Sequence, residues 1–212
     1  MSREITLKEA ERKAFTSTFE DGLWDIFIGC FVLMFAVAPF LSRRLGDFWS
    51  SAVFVPFWAL VYVAIRVVRK YVVTPRIGVV RFGLARKAKL LKFNAVVFVV
   101  LLVGLILGIV SAVKYDVPGW IHTARFGLII LVAFSVAAYL LDFTRLYLYG
   151  VLIALSPLVG EWLYVQVKAP HHGYPITFGA TAGIIILAGL VEFVRLLRHH
   201  PIPTEEPSSE EA

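Results

Sequence analysis

Six apolar runs, each about the length of one membrane crossing, constrain this chain more than anything else in it. They lie at 22–41, 48–68, 93–113, 121–141, 146–167 and 175–197, and each holds 20 to 23 residues. An α-helix rises about 1.5 Å per residue, so about 20 residues cross a hydrocarbon core ~30 Å thick. Lipid offers backbone N–H and C=O groups no partner, so each run has to satisfy its own hydrogen bonds as a helix. Barrel strands would be about ten residues long with alternating polarity, which these runs lack. The expected fold is all-α: a polytopic integral membrane protein with six transmembrane helices. Composition agrees. The chain is 59% hydrophobic and 17% charged, against roughly 45–50% and about 25% for soluble domains.

Lys and Arg set the expected orientation. With the N-terminus inside, 16 of the 21 basic residues fall on the inner side and 5 on the outer. That bias predicts N-in/C-in topology in a plasma (inner) membrane. Trp49, Trp120 and Trp162 fall near the outer boundary, where indole rings anchor. The formal charge of +6 is then topogenic charge facing anionic lipid, and no nucleic-acid partner is expected. Cys30 is the single cysteine, which excludes an intrachain disulfide and a thiolate metal cluster.

Outside the runs the chain divides into three stretches. Residues 1–21 form a polar N-terminal arm, with no cleavable leader expected because the first run is too long for one. In that arm Thr6 and Glu9 match a capping box, and Leu7, Ala10 and Ala14 share a face, so a short interfacial helix or a solvated arm are the two readings. Residues 69–92 form a basic cytoplasmic loop. There Tyr71–Val73 and Val79–Phe82 flank Thr74-Pro75-Arg76-Ile77-Gly78, which predicts a small hairpin. Arg81, Arg86, Lys87, Lys89 and Lys92 are expected to rest on anionic headgroups. Residues 198–212, with three prolines and four glutamates after position 200, form an acidic tail expected to be disordered.

Polar groups within or beside apolar runs carry the functional signal, because their burial is costly. On the inner side these are Asp21, Asp25, Arg76, Asp142, Arg145, Glu192 and Arg195. Asp21, Asp25 and Gly29 recur every four residues and so share a helix face. That face suits a cation or proton site. It equally suits acids favoured by a helix N-terminus or paired with an Arg from a neighbouring helix, with Arg76 the first candidate for Asp25 and Arg145 the second. Asp142/Arg145 and Glu192/Arg195 read as ordinary i, i+3 partners at helix ends. Arg76, fixed by a proline turn, is suited to an acid of the bundle or to a lipid phosphate, and equally to a solvated basic hairpin that serves topology alone. Both pairs share the order acid-Phe-x-Arg-Leu, a faint sign of a duplicated hairpin.

On the outer side stand His122, Arg125, Glu161, His171 and His172. Two His and a carboxylate can hold zinc, but loop polarity explains this spacing as well, and no metal or other cofactor is expected. Gly104/Gly108 and Gly179/Gly183 are GxxxG pairs that permit close helix contact, within the chain or in a homo-oligomer or partner subunit. No nucleotide, protease or hydrolase motif occurs, and no ionisable group sits at mid-bilayer, which lowers the case for an ion carrier. The expected function is therefore a non-enzymatic binding or translocation module, or a subunit of a larger membrane assembly. The alternative is a membrane-embedded enzyme acting on lipid headgroups at the inner face. A structural or sensory scaffold is the third reading.

Overall fold

The computed structural model describes residue 19, residues 21–77, nine residues between 91 and 106, and residues 119–201. Five helices there are long and apolar enough to cross a membrane. They are α1 (Leu23–Gly46), α2 (Phe48–Arg76), α3 (Gly119–Leu141), α4 (Arg145–Val167) and α5 (Tyr174–His199). No strand occurs among the described residues. The described part of the chain is thus all-helical, with helices of membrane-crossing type. The run at 93–113 lies mostly outside the described residues; those it does contribute are helical and exposed.

Helices α1 and α2 form an antiparallel hairpin that turns at Gly46. Its backbone, at φ 78° and ψ 166°, is open to glycine because no Cβ obstructs it. Contacts spread from that turn along both helices. The Ser42 and Ser50 hydroxyls lie 3.2 Å apart, Trp58 packs on Phe27 with ring centroids 4.9 Å apart, and Arg69 reaches Asp21.

The expected hairpin at 69–92 is corrected here for its first arm. Tyr71–Val73 is not a strand: it lies in a widened π turn, Arg69–Val73, that continues directly into a last helical turn, Thr74–Ile77. The Thr74 backbone N–H donates to the Arg69 carbonyl, and so does its hydroxyl, at 2.8 Å. Pro75 supplies the cause. It has no N–H, and its ring crowds the carbonyl four residues back; a widened turn relieves both problems without ending the helix. The second arm at Val79–Phe82 lies outside the described residues. So do Thr6, Glu9, Arg81, Arg86, Lys87, Lys89, Gly104, Gly108 and the tail beyond Pro201. Lys92 is described, and is helical and exposed.

The remaining packing follows small residues. A β-carbon on Gly29 would strike Ile186 and stand 3.2 Å from the Ala182 carbonyl oxygen, so α1 and α5 nearly touch backbones. Gly127 lies against the Ala154 carbonyl, and Gly150 against Phe134, which closes α3 onto α4. Gly160 meets Tyr174 and Thr177, and the hydroxyls of Ser156 and Thr181 lie 2.7 Å apart between α4 and α5. The buried core runs along these seams: Val32, Ala36, Ala138, Tyr149, Ile153, Phe178, Ala182 and Ile185. By contrast α2 buries little beyond Ser50, Val61 and Val73. Of the expected glycine pair in α5, among the described residues Gly179 has only Ala36 nearby at 3.8 Å and Gly183 has no neighbour within 4 Å. Between α1 and α5 the tight glycines are Gly22, Gly29 and Gly189.

One end of the bundle therefore gathers the starts of α1 and α4 and the finishes of α2, α3 and α5. Between α3 and α4, Asp142 takes a left-handed backbone at φ 52°. The Phe143 N–H then returns to the Ala138 carbonyl at 3.0 Å, the hydrogen bond of a Schellman C-cap. Phe143 and Ala138 are both buried in the core, which supplies the apolar contact of that motif. Asp142-Phe143-Thr144-Arg145 thus spans a turn, whereas Glu192–Arg195 lies within α5. The two acid-Phe-x-Arg-Leu stretches are not structurally equivalent.

Candidate functional site

The acids at the start of α1 face the other helices. Asp21 is 2% exposed and Asp25 is fully buried. Asp21 closes the helix start: one carboxylate oxygen accepts the Leu23 N–H at 3.0 Å and the other accepts from Arg69 at 2.5 Å. The first satisfies an N–H that every helix start leaves open, and the second ties α2 to α1. Asp25 lies one turn further in. A β-carbon on Gly189 would stand 2.9 Å from the Asp25 β-carbon and 2.8 Å from the Gly22 carbonyl oxygen, so α5 passes directly over the acid.

Asp25 meets Arg145, whose Nη1 lies 2.9 Å from its carboxylate. Arg145 also lies 3.6 Å from Glu192 and donates to the Phe19 carbonyl at 3.1 Å. Its guanidinium stands 5.2 Å from the centre of the Phe143 ring. Glu192 in turn accepts from Arg195 at 3.3 Å. One arginine therefore links the first turn of α4 to α1 and α5. The effective cost of burying one ion is several kcal/mol, and only a well-placed counter-ion offsets it; Arg145 fills that place for Asp25.

The pairing is incomplete. The Tyr149 hydroxyl pairs with the Asp25 carboxylate, yet neither this contact nor the one with Arg145 Nη1 is well directed. Tyr149, only 2% exposed, sits one turn beyond Arg145 on the same face of α4.

Seven inner residues singled out from sequence divide as follows. Asp25, Arg145, Glu192 and Arg195 form one linked group, and Asp21 forms a second pair beside it. The i, i+3 pair Glu192/Arg195 is present as expected. Asp142 makes the α3–α4 turn, and Arg145 turns to Asp25 and Glu192. Arg76 does not reach Asp25: its Nη1 donates at 2.7 Å to the Val72 carbonyl in its own helix. The partner of Asp25 is the second candidate, Arg145. Two residues were missed. Arg69 had no motif to mark it, and Tyr149 was marked only by its i, i+4 spacing from Arg145.

Beside Asp21, α1 and α2 enclose a cavity of about 340 Å³, lined by Leu23, Trp24 and Phe27 of α1 and by Tyr62, Ile65, Arg66 and Arg69 of α2. Among the described residues no carboxylate lines it.

The opposite end is simpler. His172 Nδ1 lies 3.0 Å from Glu161, and its ring packs on Tyr164 at 4.2 Å and Tyr174 at 5.8 Å. His171 turns the other way, to Phe40 at 5.6 Å. His122 and Arg125 stand on the first turns of α3 and have no hydrogen bond or ion pair among the described residues. Of the five outer residues, only Glu161 and His172 are brought together. No group of three metal-binding side chains occurs among the described residues. Compared with protein-family models, with curated proteins and with solved structures, the chain matches none.

Proposed function

We propose that this chain is a non-enzymatic binding module of the plasma (inner) membrane, crossing it six times with both termini in the cytoplasm. The observation that carries the binding reading is a division of labour at the ionic end. The acids Asp21, Asp25 and Glu192 are each met by an arginine, while the adjacent cavity presents apolar walls and two arginines, with no carboxylate among its described lining residues. Acids locked in ion pairs serve the packing of helices, and the cavity is the part fitted to receive something. Convergent polar groups on an apolar pocket are the usual form of a binding site.

Chain direction supports the sixth crossing. Arg69 lies at the ionic end beside Asp21. Helix α3 starts at the other end, because its finish at Leu141 adjoins Phe143, which stacks on Phe19. The stretch 78–118 has to join opposite ends, and the apolar run at 93–113 has the length to do so. Cysteine labelling in a Cys30→Ala background tests the topology. Leu45→Cys and Val167→Cys should react with an impermeant maleimide on intact cells, and His200→Cys should react only after lysis. Labelling of His200→Cys on intact cells rejects the orientation.

The buried Asp25 carboxylate with the Tyr149 hydroxyl beside it favours the second reading, an enzyme acting on lipid headgroups at the same end. Mass spectrometry of mixed anionic and zwitterionic lipids, incubated with the reconstituted protein, separates the two. Unchanged lipid masses fit a binding module. A headgroup-cleaved product that disappears with Asp25→Asn would establish the enzyme.

A further inference from the structure

We infer that the cavity between α1 and α2 holds one anionic diacyl phospholipid, with an acyl chain against Trp24, Phe27 and Ile65 and the phosphate on Arg66 and Arg69. This rests on the binding reading above and names its ligand. Depth is the first argument. Arg66 is eighteen residues beyond the start of α2 at Phe48, a rise of about 27 Å, so its guanidinium stands at the headgroup level of a ~30 Å core. The apolar walls extend from there toward the bilayer centre, where an acyl chain lies.

Charge is the second argument. Tyr62, Ile65, Arg66 and Arg69 fall on one face of α2, at helical spacing. Arg66 has no carboxylate partner among the described residues. It donates to the Tyr62 hydroxyl at 3.1 Å and lies 5.7 Å from that ring's centre, which holds the guanidinium at the cavity rim. Arg69 pairs with Asp21 and also faces the Trp24 ring at 6.0 Å. Among the described lining residues Arg66 and Arg69 are the charged ones, and both are cationic. Guanidinium groups match phosphate bidentately. A zwitterionic headgroup would bring its own cation against these two, so an anionic headgroup is preferred. The exposure of Trp24 and Tyr62 leaves the cavity open sideways, the direction from which a membrane lipid enters.

Native mass spectrometry of the full chain in detergent tests this, with dioleoyl phosphatidylglycerol, dioleoyl phosphatidylcholine and inorganic phosphate as probes. One phosphatidylglycerol should be retained per chain, about tenfold more tightly than phosphatidylcholine, the worth of one charge-assisted contact. Arg66→Gln, a change on an exposed face, should bring that preference within about twofold. Ile65→Trp, which fills the cavity, should release both lipids. Inorganic phosphate should not displace the lipid. Equal retention of the two lipids by the unmodified chain overturns the inference, as does a preference that survives Arg66→Gln, or displacement by phosphate alone. Those results leave the binding reading standing. Retained lipid of altered mass would instead overturn the non-enzymatic reading while the assignment of the cavity's ligand holds.

Discussion

Arg145 donates to a carbonyl 126 positions away in sequence and joins α4 to α1 and α5, whereas at the opposite end Glu161 and His172 are only 11 positions apart. The first contact fixes which helices are neighbours. The second fixes one turn between two helices already joined by the chain. A long-range polar contact in a bundle whose surfaces are all apolar carries information about arrangement, because apolar helices alone pack with many partners almost equally well. The contrast predicts that damage at the ionic end changes the whole bundle and that damage at the other end stays local.

The sharpest test removes one partner of the buried pair. Arg145→Met leaves Asp25 as an uncompensated buried charge and should cost about 3–5 kcal/mol in unfolding titrations from mild detergent. Asp25→Asn alone should cost less, since it leaves no buried charge. The double variant should be less damaging than the sum of the two, a coupling of about 0.5–3 kcal/mol. Arg76→Ala should stay below about 1.5 kcal/mol, because it breaks one hydrogen bond within its own helix. Equal losses for Arg76→Ala and Arg145→Met would erase the distinction between the cluster and the rest of that end.

Midway along the bundle the comparison moves to glycines. Gly29→Val forces a side chain onto Ile186 and the Ala182 carbonyl and should cost about 1–3 kcal/mol. Gly183→Val meets nothing within 4 Å and should change the unfolding midpoint by no more than about 0.5 kcal/mol. If Gly183→Val is instead the worse of the two, then its face is covered, by another molecule or by residues of this chain outside the described ones, and the GxxxG pair is a contact.

These glycines show what the sequence could and could not reveal. Crossing length is a local property, so the runs at 146–167 and 121–141 were legible almost to the residue in α4 and α3. The shared face of Asp21, Asp25 and Gly29 was legible from spacing, and all three are buried. The choice between Arg76 and Arg145 as the partner of Asp25 was not, because a pairing between helices depends on which helices meet, and every apolar run offers the same hydropathy. Pro75 misled the reading for a physical reason. Beside β-branched residues it signals a turn, but one widened helical turn absorbs its missing N–H, and α2 runs on to Arg76. Gly179/Gly183 carried the familiar motif while Gly22, Gly29 and Gly189 carried the contacts. Close approach depends on what faces a glycine, which spacing within one helix does not record.

The smallest expected effect lies in the turn at the far end. His171 and His172 both hold left-handed backbones, at φ 52° and 54°, a conformation costing about 1–2 kcal/mol for a residue with a Cβ. Glycine removes that strain but costs about 0.5–1 kcal/mol in the entropy lost on folding. The backbone term is therefore slightly favourable and similar at both positions, so the side chains decide the difference. His171→Gly gives up one ring contact, to Phe40. His172→Gly gives up rings on Tyr164 and Tyr174 and the pair with Glu161, which at 52% side-chain exposure is worth about 0.2–1 kcal/mol. His172→Gly should be the less stable of the two by about 1 kcal/mol, and adding Glu161→Gln to it should cost almost nothing further. Neither change should alter the coupling measured between Asp25 and Arg145. A change in that coupling would mean that the outer turn transmits to the ionic end, and that the two ends are not independent.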